Sequence, residues 1–278
     1  MNQGNYNNVD FNPYQPAEMR NLGYQQQNQR GQDLTPNQMM DQIYPDDISS
    51  EELHQTAAGN IYKKSRIGFI RKVYLILAFQ LGITCISIAV TILNNDLRKL
   101  IQQGLVLWIL SFVGSLVTLL ILICVPGMST KVPSNYILLF AFTIFESYLI
   151  SFLTSFYTVS TVFTAAVLTA AIVLGLTAYA FYTDTDFTFM GGFLFMGIFV
   201  LMGLSFIQFF VNVKWLNMLI CVFGVLLFGA YLIYDTQLLI GTKGLKYEID
   251  EYILAALNIY LDIINIFVYL LEILGSND

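Results

Sequence analysis

The chain has 278 residues, of which 56% are hydrophobic and only 12% charged, with a formal net charge of −6. Soluble domains carry about 25% charged residues, so this composition excludes an ordinary soluble protein and points to an integral membrane protein. The negative balance, with no recognisable binding motif, also excludes a nucleic-acid partner.

Residues 1–66 differ in character from the rest. They contain "YQQQNQRGQ" and the prolines Pro13, Pro16, Pro36 and Pro45. A Gln/Asn-rich stretch of this kind buries too little apolar surface to offset its ordering entropy, and it reads as a disordered tail. It has no apolar h-region, so no cleavable signal peptide is expected, and the first spanning helix would act as an uncleaved anchor. "FNPY" at residues 11–14 has the form of a sorting signal, but a match this short is most often chance.

From residue 67 to 278 the expectation is one transmembrane domain. Seven stretches are long and apolar enough to span a bilayer as helices: roughly 73–93, 104–125, 135–156, 161–181, 188–211, 215–235 and 254–274. Short loops imply antiparallel neighbours in one all-α bundle. Cys85, Cys124 and Cys221 all fall inside these stretches and read as small apolar core residues rather than a disulfide framework. Lysines and arginines set the orientation. Eight (at 63, 64, 66, 71, 72, 131, 243 and 246) lie on the tail's side and three (at 98, 99 and 214) on the other, so the tail is expected in the cytosol. Seven crossings would put the C-terminus on the opposite side; a re-entrant last helix would return it.

Four carboxylates lie inside the predicted spans: Glu146, Asp235, Asp262 and Glu272. No lysine or arginine lies deep in any span. Buried carboxylates without cations must share protons, bond to polar neighbours or bind a cation from outside. In "ALNIYLDIINIFVYLLEIL" (256–274), Asn258, Asp262, Asn265, Tyr269 and Glu272 fall on one stripe about 80° wide at 100° per residue. Intramembrane polar residues face the bundle interior or a wet cavity, so the last helix is expected to be central. Thr143, Glu146, Ser147 and Thr154 cluster on the third helix, and Asp235 closes the sixth. These oxygens converge on one axis, as a cation path would need, and oxygen is the ligand type that Ca²⁺ prefers. Glu272, near a helix end, can also simply reach water, and Glu146 can be a structural hydrogen bonder. Tyr231, Tyr234 and Tyr269 read as packing aromatics.

The same residues carry a family resemblance. "RIGFIRKVYLILAFQLGIT" (66–84), "KVPSNYILLFAFTIFESYL" (131–149), "TDTDFTFMGG" (183–192), "YDTQLLIG" (234–241) and "YEIDEYILAALNIYLDIINIFVYLLEILG" (247–275) occur in order without large gaps. Together they resemble the lifeguard branch of the transmembrane Bax inhibitor motif family. The resemblance implies a seven-helix fold with a central last helix, a Ca²⁺ leak from intracellular stores and a restraint on cell death. It implies a proton-sharing, gating pair at Asp235 and Asp262, which could also hold Ca²⁺ transiently. It places the family glutamate at Glu146, which joins Asn258, Asn265 and Glu272 of the polar stripe as the path candidates. It implies membrane lipid, Ca²⁺ and apoptosis-regulating membrane proteins as partners, an endoplasmic reticulum or Golgi location, and no cofactor. The chain departs from its relatives between the second and third helices, where "CVPGMSTKVPSN" offers Lys131 alone as a latch cation. Lysine is a point charge without the bidentate fork of arginine.

Independently of the family, two carboxylates in a low-dielectric site cannot easily both ionise, and they titrate as a unit. The singly protonated pair can tie two helices together through a charge-assisted hydrogen bond. Two rivals are weaker. An intramembrane aspartyl protease would need a GxGD, but Asp262 follows "IYL", and the chain has no proline after Pro133 for a PAL motif. The chain therefore reads as a non-enzyme. A proton-coupled transporter would show repeats and broken helices, and no repeat is evident. A non-conducting regulator acting through partner proteins fits the apolar helices equally well.

Overall fold

The computed structural model describes residues 50–242 and 244–276, with side chains from Gly59 onwards. Residues Tyr62–Asp278 form one compact unit. The described residues are helical with no strand: α1 (Ser50–Leu93), α2 (Asn95–Gln103), α3 (Leu105–Cys124), α4 (Ser134–Thr154), α5 (Val159–Tyr182), α6 (Gly191–Val211), α7 (Lys214–Ile240) and α8 (Tyr252–Gly275), with a 3₁₀ turn at Thr188–Met190. All but α2 are long and apolar enough to cross a membrane. The chain is a multi-pass, all-α membrane protein.

Three boundaries depart from the sequence reading. Helix α1 begins at Ser50, ahead of the boundary expected at residue 66. "EELHQTAAGNIYKKS" is rich in good helix formers and lacks proline, so propensity extends the helix without an apolar face. Residues 1–49, including the "FNPY" reading, lie outside the described residues. Helix α2 occupies what looked like a loop. Asn94 caps it by accepting from the N–H groups of Asp96 and Leu97 at 3.0 and 3.1 Å, and Ile101 is its buried anchor. Helix α7 continues past residue 235 to Ile240. Asp235 therefore sits more than a turn inside the helix rather than closing it, because "TQLLI" prolongs the apolar face.

The last helix is the centre of the bundle. In its apolar window 61% of residues are buried, against 39% or less in every other span. Tyr260, Leu257, Ile266 and Leu271 are fully enclosed, packed with Phe142, Leu232 and Leu239. Its 24 residues make about 36 Å at 1.5 Å per residue, enough to cross the ~30 Å hydrocarbon layer. Helix α8 packs against α7, α5 and α4, while α6 packs chiefly on α7 at the margin.

Two arginines tie the bundle together at opposite ends. Arg98 donates to the carbonyls of Ser155 (2.6 Å) and Tyr157 (2.7 Å) beyond α4. Arg66, buried on α1, donates to the carbonyls of Leu238 and Ile240 at the end of α7, and to that of Tyr247 in the following loop. A cation is stabilised at this end of a helix by its exposed carbonyls and dipole. Gly241 terminates α7 with φ +67, and a Cβ there would collide with the Arg66 guanidinium. Only glycine meets both demands without strain.

Candidate functional site

Asp235 and Asp262 approach each other across the seam between α7 and α8. Each is only 4% exposed, and their carboxyls are hydrogen-bonded to one another. The spacing explains the encounter. The antiparallel helices are joined by an eleven-residue connection, and each carboxylate lies one to three turns from that end. Tyr247, in the connection, donates its phenol O–H to Asp235 Oδ1 at 2.7 Å. Asn258 Nδ2 donates to the Tyr247 phenol oxygen at 2.8 Å. Asp262 Oδ2 has no protein partner. Burial and the neighbouring Asp235 push the Tyr247 phenol well above its usual range, so it stays protonated and acts as a donor.

Beside the pair lies a cavity of about 380 Å³, lined by the two aspartates, Tyr231, Tyr234, Tyr247 and Asn258 and by the apolar Ile198, Phe228, Leu238 and Leu261. Its volume suits several waters, since each occupies about 30 Å³ of liquid. Ca²⁺ takes six to eight oxygens, and among the described residues no group of three or more His, Cys, Asp or Glu side chains could hold a metal ion. The two carboxylates, the nearby phenol and amide oxygens and water in the cavity could accompany a passing ion but do not form a closed cage.

The other expected residues are distributed differently. Along the stripe of α8, Asn265 Nδ2 donates to the Leu261 carbonyl of its own helix at 2.8 Å. Tyr269 stacks on Phe228 with centroids 6.1 Å apart and lies against Gly224, where a Cβ would run into its ring. Glu272 Oε2 accepts from the Cys221 thiol at 3.1 Å. The stripe thus meets α7 at Asp262, Tyr269 and Glu272. Glu146 is not in this seam; it hydrogen-bonds Ser115 of α3. Thr143 and Ser147 face α1 instead. The oxygens expected on one axis are therefore divided between two zones on either side of α8. Lys131 is exposed and lies over Gly127 in its own loop, and the buried cation near the site is Arg66.

The family model described as "Inhibitor of apoptosis-promoting Bax1" matches residues 66–278. Human protein lifeguard 3 is 35% identical over 220 residues, covering 78% of this chain and 71% of the relative. Mouse protein lifeguard 4 is 35% identical over 211 residues, covering 76% of this chain and 86% of the relative. The chain belongs to the Bax inhibitor-1 family. In this member of the family the matched region opens at Arg66, the residue that clamps the end of α7 and the carbonyl of Tyr247.

Sequence reasoning missed Arg66 and Tyr247. Arg66 reads as one of several basic residues at a span's edge, and "KKSRIGFIRK" (63–72) gives no sign of which turns inward. Tyr247 sits in a polar loop, "GTKGLKYEIDE". The available signal was that it is the one aromatic in a connection flanked by two buried aspartates. Gln237 was also overlooked. It accepts from the Phe187 N–H at 2.7 Å and donates to the Thr185 carbonyl at 2.9 Å, fixing the loop after α5.

Proposed function

We propose that this chain is a Ca²⁺ leak pathway of intracellular membranes, gated by the proton count of the Asp235–Asp262 pair, and that it restrains apoptosis through store Ca²⁺. The observation that carries the proposal is the hydrogen-bonded contact of two buried carboxyls on different helices beside a cavity. One proton between them latches α7 to α8; gaining or losing a proton weakens the latch and lets the helices part. An ion leaving the cavity would follow the α7–α8 seam past the Phe228–Tyr269 stack, which closes it, towards Glu272. Membership of a family whose model is described as inhibiting apoptosis-promoting Bax1 supports the cell-death role.

In this reading the residues ahead of Arg66 form a cytosolic tail, the bundle from Arg66 onwards carries the flux, and the membrane is that of the endoplasmic reticulum or Golgi. Protease on the cytosolic side of sealed vesicles should remove an epitope placed at residue 20, and lumenal protease should spare it. The decisive test is Ca²⁺ flux through the purified chain in liposomes as a function of pH. Flux that varies with pH supports the gate. Flux without pH dependence would make the carboxyls ion ligands or structural groups. No flux would leave a regulator that acts through partner proteins.

A further inference from the structure

The two aspartates are not equivalent. Asp235 has two partners, the Tyr247 phenol, which donates to its Oδ1, and the Asp262 carboxyl. Asp262 has one partner, and its Oδ2 is buried with none. A buried oxygen without a donor is far costlier when ionised than when it is the carbonyl of a neutral acid. The proton therefore belongs on Asp262 and the charge on Asp235. The phenol's direction agrees with this: Asn258 Nδ2 donates to its oxygen, leaving its own hydrogen free for Asp235.

We propose that Tyr247, held in place by Arg66, is the positioning residue that fixes the shared proton on Asp262 and sets the pH at which the latch releases. The clamp is specific. Arg66 binds the Tyr247 carbonyl with the same guanidinium that caps α7 through Leu238 and Ile240. The phenol and the carboxylate it serves are thus anchored to one rigid group on α1. Loosening that anchor lets the phenol leave Asp235 without touching either aspartate. The titratable groups that face Asp235, among the described residues, are Tyr231 and Tyr234 of its own helix, Tyr247 of the loop and Asp262 of α8. No cation donates to the pair among the hydrogen bonds of the described residues, which leaves the phenol as the main stabiliser of the charge. The second proton reaches Asp235 from water in the adjoining cavity, converting a pair of charge −1 into a neutral one.

This inference rests on the aspartate gate for its effect on flux, but its proton placement can be read separately. The test uses the full chain in liposomes, with infrared difference spectra of the carboxylic-acid C=O band at neutral pH. Asp262→Asn should remove a protonated-carboxyl band that Asp235→Asn retains. Loss of the band in Asp235→Asn instead, or identical spectra for the two variants, overturns the placement. In Ca²⁺ flux, Tyr247→Phe should move the acid-side midpoint to higher pH by about one to two units, the size expected for a hydrogen bond to a charged group. Arg66→Gln should move it the same way by less. Variants that lower thermal stability in detergent but leave the midpoint in place would show that Tyr247 and Arg66 only hold the fold. If wild-type flux does not vary with pH, the gate fails, and the infrared comparison still decides where the proton sits.

Discussion

Buried polar groups on the two sides of α8 are of different chemical kinds. Towards α1 and the Thr143–Ser147 face of α4 the bonded groups are neutral. Gln80 donates to Thr143 at 3.1 Å, Thr84 bonds Ser147 at 3.0 Å and the Tyr260 phenol at 2.8 Å, and Ser87 bonds Ser151 at 2.7 Å. Hydroxyls serve as donor and acceptor at once, so such a ladder closes on itself whatever the pH. Towards α7 the groups are carboxyls: Asp262 against Asp235, then Glu272 against Cys221. A carboxyl changes from acceptor to donor when it gains a proton, so the contacts it makes depend on its protonation state. The ladder joins helices, whereas the seam can join or release them. Helix α8 belongs to both, with Tyr260 and Asp262, two residues apart, on opposite sides.

Substitutions can break or sharpen this contrast. The largest effect is expected from Asp235→Asn and Asp262→Asn. Each should abolish most of the pH dependence of Ca²⁺ flux, and the double substitution should add little, since neighbours in contact are not additive. Single variants with an unchanged pH profile would place the seam in the same class as the ladder.

Next comes Gly224→Val. The added side chain must displace the Tyr269 ring, and overpacking of this kind costs about 1–3 kcal/mol. The expected outcome is a lower unfolding temperature in detergent. An unchanged temperature would mean that α7 and α8 do not approach as closely as described.

Thr84→Val removes a hydroxyl bonded to both Ser147 and Tyr260. Interhelical hydrogen bonds in membranes average about 0.6 kcal/mol, so a modest loss of stability is expected, with the midpoint of the flux profile unmoved. A shifted midpoint would show that the two zones are coupled through α8.

The smallest effect is expected from Glu272→Gln. The residue lies about 15 Å along α8 from Asp262 at 1.5 Å per residue, beyond the Phe228–Tyr269 stack. Flux amplitude should fall while the pH profile keeps its shape. A change in shape would make Glu272 a third member of the titrating unit.

The sequence determined the membrane class, the seven spans and the central last helix, and it marked Asp235 and Asp262 as buried acids, which the family resemblance implied to be a pair. These follow from local information: an apolar run long enough to cross hydrocarbon, a 100° periodicity that places Asn258, Asp262 and Glu272 on one stripe, and acids that no nearby base can neutralise. The tertiary structure alone decided what each polar group meets. Glu146 and Asp262 look alike as buried acids, yet one turns to Ser115 of α3 and the other to Asp235 of α7. Lys131 and Arg66 look alike as basic residues at span edges. One lies exposed over its own loop, and the other is buried against the end of α7. Tyr247 carried no periodic signal at all. Its partners come from α7, α8 and α1, up to 181 residues away in sequence. Periodicity fixes the face of a helix on which a residue lies; only the packing of helices against one another fixes which helix that face meets.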